Sequence, residues 1–243
     1  MVHTTNGIVL RTIKYGETSV VVNILTSLFG IQAYMVNGVR IQGKNSRAHF
    51  FQPASLLELQ VYHNDLKNLQ RIKEVKWSYL YKNVFSDVIK NSVALYLAEL
   101  LQKSIKQPET NESLFNFCED AFLQLDTASA EVTANFPGYF ALQLTGFLGL
   151  SILDNYSIEN NIFSVADGRF INKAFAGERY ADEQTSYSIS QLLKVMLPSE
   201  LTEIKLNKSG RKLILAILEN YYQYHINEFG SMKTLPVLHE LML

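Results

Sequence analysis

Cysteine is almost absent from this chain: Cys118 is the only one in 243 residues. No internal disulfide can form, and no cysteine-based zinc site can be assembled. A lone thiol in a helical pattern suits a reducing cytosol and reads as packing, not as a nucleophile. Histidine is sparse too. His3, His49, His63, His225 and His239 are scattered with no HxxxH, HxH or His–carboxylate spacing for a metal. GxGxxG, GxxxxGK[ST] and GxSxG are all missing. The adjacent acids Glu119 and Asp120 leave a helix in different directions and read as a solvated face. The N-terminus lacks a charged-then-apolar leader pattern. The longest uncharged stretch, Val132–Leu153, is interrupted by Asn135, Pro137, Gly138, Gln143, Thr145 and Ser151. Its continuous apolar part is too short to span a bilayer, so the chain reads as soluble and cytoplasmic, with no membrane partner.

What is present is ordinary globular composition, 47% hydrophobic and 19% charged, with an uneven charge distribution. Residues 1–80 carry nine Lys/Arg against four Asp/Glu; residues 81–243 carry thirteen against nineteen. Such a split suits a nucleic-acid-facing half joined to an acidic one, and chance segregation gives the same pattern.

The first 77 residues read as five short strands: Gly7–Lys14, Thr18–Thr26, Ile31–Val39, Ser55–Tyr62 and Leu69–Trp77. Gly30 supplies a hairpin turn, and a polar loop covers Arg40–Arg47. Five strands with one longer loop predict a small closed barrel, of the OB-fold type or an SH3-like one. Beyond Trp77 the apolar period turns helical, predicting helices over Ser86–Ile105, Glu112–Leu125, Tyr139–Leu150 (opened by Asn135–Gly138), Ser190–Leu197, Leu213–Phe229 and Leu235–Leu243. Asp154–Tyr187 loses the pattern, with Asp167-Gly168 marking a hairpin between Ile162–Val165 and Arg169–Ile171. The expected class is α+β: a five-stranded OB-fold barrel over 1–78, then a mainly helical domain over 79–243 with an irregular insertion at 154–187.

Candidate chemistry therefore concentrates in the barrel. Arg40, Lys44 and Arg47 share one loop, and Arg11 and Lys14 lie on the first strand; clustered cations neutralise phosphates and release counterions. Arg71 and Lys73, with Lys67 and Lys76 nearby, form either a second cationic track or an edge strand guarded against aggregation. Tyr34, Phe50, Phe51 and Trp77 could stack on bases. Trp77 and one of Phe50/Phe51 read more readily as barrel filling.

Several stretches resemble the RecO family. They are Gly7-Ile8-Val9-Leu10-Arg11, Tyr15-Gly16-Glu17-Thr18-Ser19, Leu25-Thr26-Ser27-Leu28-Phe29-Gly30, Val36-Asn37-Gly38-Val39-Arg40, Lys44-Asn45-Ser46-Arg47 and Phe51-Gln52-Pro53-Ala54-Ser55-Leu56-Leu57-Glu58, with looser likeness to the end. The resemblance implies an OB-fold, a helical domain and no catalytic residues. It implies binding of single- and double-stranded DNA, annealing of complementary strands, and action with RecR to load RecA onto strands coated by single-stranded-DNA-binding protein (SSB), whose acidic C-terminal tail docks on the helical domain. Arg11, Arg40, Lys44 and Arg47 match the family's DNA-contacting positions; Lys14, Arg71 and Lys73 are added from charge. Relatives often carry a four-cysteine zinc module where this chain has Asp154–Lys173, so no cofactor or metal is expected. A central-helix position often basic in relatives is Tyr139 or Phe140 here. The alternative from another class is an adaptor whose barrel binds protein.

Overall fold

A computed structural model describes residues 1–39, 47–106, 109–174 and 176–241. Five strands come first: β1 (Val2–Tyr15), β2 (Ser19–Thr26), β3 (Gly30–Val36), β4 (Leu56–Tyr62) and β5 (Leu69–Tyr79). They close into a barrel in the order β1-β2-β3-β5-β4, with β3 and β5 parallel and β1 paired to both β2 and β4. This is the OB-fold arrangement, which decides between the two barrel types left open above. The first strand starts at Val2, not Gly7. Its early half, with polar Thr4, Thr5 and Asn6, pairs with β4, while its later half pairs with β2. Gly30 turns the β2–β3 hairpin at φ +60°, as expected.

Alternation along the strands sorts side chains between two cores. Val9, Val22, Ile24, Tyr34, Leu57 and Leu59 fill the barrel. Ile8, Leu10, Leu25 and Leu56 point the other way and join Val93, Leu97, Leu101, Phe122 and Phe140 in the core of the helical body. Each such side chain contributes about 1.5–3 kcal/mol on full burial.

The helices are α1 (Val88–Ser104), α2 (Glu112–Thr127), α3 (Ala130–Phe147), α4 (Glu183–Leu193), α5 (Lys208–His225) and α6 (Thr234–Leu241), with 3₁₀ turns at Ala48–Phe51 and Pro198–Thr202. Three expectations need correction. The fifth helix runs Lys208–His225 behind the cap Asn207, not Leu213–Phe229. Residues Asn135–Gly138 do not open the central helix. Ser129 caps it, accepting from the Val132 N–H, and Pro137 lies inside. A mid-helix proline costs about 3 kcal/mol, which the burial of Phe136, Phe140, Leu142 and Leu144 outweighs. The fourth helix begins at Glu183, not Ser190, behind the cap Asp182, whose side chain accepts from the Thr185 N–H at 2.7 Å. Its buried face includes Thr185, Ser186 and Ser190, so its apolar period is faint.

The insertion holds the expected hairpin, β6 (Ile162–Ser164) and β7 (Arg169–Ile171), with Gly168 at φ +62°. Asn155 clamps it by donating to the Phe170 carbonyl and accepting from the Phe170 N–H, both at 2.9 Å. The Ser186 hydroxyl accepts from the Phe163 N–H at 2.8 Å. Asp126, fully buried, ties α2 to the segment after β5: its carboxylate accepts from the N–H groups of Lys82, Asn83 and Val84. Among the described residues no helix is long and apolar enough to cross a membrane.

Candidate nucleic-acid interface

Between Val9 and Arg11 the β1–β2 register shifts: Val9 faces Ile24, Arg11 faces Asn23, and Leu10 is the extra residue. A bulge of this kind puts two neighbours on the same side. Leu10 therefore enters the core shared with the helices, while Arg11 is exposed beside it. Asn23, opposite Arg11, donates from Nδ2 to Oε1 of Gln102 on α1 at 3.0 Å. Exposed Arg11 thus sits where the outer face of the barrel meets the helical body.

Lys14 is on the other side of β1. It pairs with Val20, which faces the barrel interior, so Lys14 stands over the rim on the side of Thr12. The Thr12 hydroxyl donates to the Phe51 carbonyl at 2.6 Å, bringing this rim against the 3₁₀ turn that Arg47 precedes. Lys14 and Arg47, both exposed, lie on the two segments that this bond joins. Arg40 and Lys44 lie outside the described residues.

On β5, Arg71 pairs with Met35 of β3 and with Tyr62 of β4, exposed on the outer face. Lys73 falls at a second bulge, opposite Gln60–Val61. The bulge brings Glu74 to the same side, 3.9 Å from the Lys73 ammonium, which also donates to Oε1 of Gln60 at 3.4 Å. Lys76 is paired with Glu58 at 2.8 Å. Period two therefore does not give a clean cationic track here, because the extra residue carries a carboxylate along with it. Among the described residues Arg11, Lys14, Arg47 and Arg71 form no ion pair.

Of the four candidate stacking residues, Tyr34 and Phe51 are buried inside the barrel. The Tyr34 hydroxyl has no hydrogen-bond partner among the described residues, and burial pushes its pKa above the usual phenol value. Trp77 packs against the barrel core, as the sequence reading favoured, though it is only partly buried there. It is half-buried at the rim, against half-buried Phe50 at 5.1 Å between ring centroids, and exposed His49 lies 4.3 Å from Phe50. This aromatic group adjoins Arg47. His49 gave no signal in the sequence, because a lone histidine in a loop has no pattern to betray it.

Elsewhere the chemistry is structural. Cys118 is fully buried and its thiol pKa is pushed up by that burial. Burial, then the neighbouring Asp120 charge, raises the Glu119 carboxyl. Tyr139 and Phe140 are both buried, leaving no cation at that point of the central helix. Among the described residues no three His, Cys, Asp or Glu side chains are grouped to hold a metal.

Comparison with known proteins completes the description. Residues 1–81 match the family described as Recombination protein O N terminal, and residues 86–234 match Recombination protein O C terminal. The chain is 32% identical over 238 residues to the DNA repair protein RecO of Flavobacterium psychrophilum, covering 98% of both chains. It is 32% identical over 246 residues to the protein of that name from Christiangramia forsetii, and 31% identical over 243 residues to the one from Bacteroides fragilis, covering 99% of both chains in each case.

Proposed function

The chain belongs to the RecO family of recombination proteins, with a role in DNA repair, and from that premise we propose that it is a DNA-binding recombination mediator. It binds single- and double-stranded DNA, anneals complementary strands and, with RecR, helps load RecA onto SSB-coated DNA, working in the cytoplasm. The observation that carries this reading is the set of exposed cations on an OB-type barrel that have no carboxylate partner among the described residues: Arg11, Lys14, Arg47 and Arg71. Annealing needs no bond making or breaking. Cations suppress repulsion between strands, and stacking groups such as Phe50 and Trp77 hold bases for pairing. The protein on this reading is not an enzyme. It divides into a barrel domain over 1–78 and a helical domain over 79–243 that receives the SSB tail, with 154–187 as an insertion that needs no zinc because Asn155 and Ser186 hold its hairpin.

The test is charge reversal of the loop cations, Arg40→Glu, Lys44→Glu and Arg47→Glu together, read by oligonucleotide affinity at matched salt and by annealing without nucleotide. Annealing is expected to vanish with the fold intact. Unchanged DNA affinity removes the site, and one zinc per purified chain overturns the metal-free reading.

A further inference from the structure

β3 begins at Gly30, but its ladder with β5 starts only at Ala33, opposite Leu69. Where β3 runs past its neighbour, a cleft of about 580 Å³ opens between the barrel and the residues Lys106 and Thr110. Its wall is rich in side-chain amides, from Asn23, Gln32, Asn68 and Gln70, and it carries two ammonium groups, Lys67 and Lys106, the latter exposed and donating one bond to the Glu228 carbonyl at 3.3 Å. Phe29 and His63 form a stacked pair on the same wall, with centroids 3.9 Å apart and rings 11° from parallel.

The wall is built, not incidental. Gln70, 3% exposed, donates from Nε2 to the carbonyls of Asn64 and Lys67 and accepts from the Asn64 N–H, fixing the loop that presents Lys67. Asn23 and Gln32 spend their NH₂ groups on Gln102 and the Phe29 carbonyl. Their carbonyl oxygens have no donor among the described residues. Asp65, with 93% of its side chain exposed, is engaged with His63 at 2.8 Å.

The amide oxygens of Asn23 and Gln32 and the side chain of Asn68 match the hydrogen-bonding edges of unpaired bases, aromatic faces stack on them, and ammonium groups take the phosphates between. An apolar ligand gains little from such a wall. The volume lies within the roughly 300–1,000 Å³ of ordinary ligand sites. Bases of an intact duplex have their pairing edges engaged and cannot turn into a cleft.

We propose that this cleft seats about one or two nucleotides of a single strand, with Lys67 and Lys106 on the flanking phosphates, so that the helical body shares in holding the strand. The proposal rests on the reading of the barrel as the DNA-facing half. Arg11, opposite the cleft residue Asn23, leads the strand into it.

The experiment uses the full chain carrying Lys67→Glu and Lys106→Glu, titrated with oligo(dT) and with a duplex of equal length across a range of salt. Both lysines are exposed, so the melting temperature is expected to hold. Affinity for oligo(dT) is expected to fall at least tenfold, with the slope of log affinity against log salt shallower by about 1.4 for two lost phosphate contacts. Duplex affinity is expected to change far less. Unchanged oligo(dT) binding alongside a weakened Arg40/Lys44/Arg47 reversal variant overturns the cleft and leaves the barrel reading standing. If neither variant alters binding, both fall. An equal loss for strand and duplex also overturns it. Photo-crosslinking with 5-iododeoxyuridine oligonucleotides gives a second readout: adducts on Phe29 or His63 support the cleft, and adducts confined to His49, Phe50 and Trp77 count against it.

Discussion

Asn23 and Gln102 join the outer face of the barrel to α1 through a side-chain hydrogen bond of 3.0 Å. The bond fixes Asn23 directly across the β1–β2 ladder from Arg11. Arg11 is thus carried on a strand whose neighbour is tied to the helical body, with its side chain exposed.

Arg11→Glu is expected to weaken binding to all DNA sequences alike and to reduce the salt slope by about 1, the signature of a lost phosphate contact. Circular dichroism should show the fold unchanged.

Arg71 and Lys76 offer a paired comparison on one strand. Arg71 has no carboxylate partner among the described residues, whereas Lys76 faces Glu58 at 2.8 Å. Arg71→Ala should lower DNA affinity severalfold, and Lys76→Ala should have a smaller effect. Equal losses at matched salt would show that the carboxylates on this strand do not shield it.

Asp126→Asn is expected to destabilise the protein by about 3 kcal/mol in denaturant titration, since buried backbone donors lose a charged acceptor. Burial by itself disfavours the charged carboxylate, but the N–H groups of Lys82, Asn83 and Val84 and the Tyr79 hydroxyl outweigh it and hold the pKa below the usual value. The sign follows: the stabilisation is full above the unfolded carboxylate pKa, about 3.9, and is lost as pH falls through the lower folded value. The Asn variant should lack this share of the acid sensitivity.

Gly168→Ala is expected to cost about 2 kcal/mol, because the residue sits at φ +62° and an added Cβ would stand 2.8 Å from the Tyr221 hydroxyl oxygen. Adding Tyr221→Phe removes that oxygen. The double variant should therefore lose less than the two single costs combined, a coupling that thermal denaturation can measure.

Tyr34→Phe should leave stability unchanged or raise it by about 1 kcal/mol, since it deletes a buried hydroxyl with no partner among the described residues. A clear loss of stability would mean that this hydroxyl is hydrogen-bonded in solution.

The barrel was legible because its strands alternate and its turns are marked. Gly30 takes the positive φ that its place between two apolar runs implied, and the Asp167-Gly168 hairpin follows the same logic. The central helix was misread at its start because Pro137 and Gly138 look like punctuation. The real signal was Ser129 with Glu131 in the first turn. The start of the fourth helix was hidden because serine and threonine stand on its buried face. At the candidate site, exposed arginines can be found by counting charge, so Arg11, Arg47 and Arg71 were reachable. The amide-lined cleft was not. Residues 23, 32, 68 and 106 are far apart in the chain, and nothing local marks asparagine or glutamine as facing a common space.

The extra residue in the first strand has a practical meaning for how the molecule can change. In a regular strand a leucine serving the interior and an arginine facing solvent could not be adjacent on one side. Here they are, so a core side chain and an exposed cation sit on neighbouring codons yet answer to different surroundings. Leu10 can be exchanged for another aliphatic residue to tune rigidity, and Arg11 for another cation to tune grip, each with little penalty to the other.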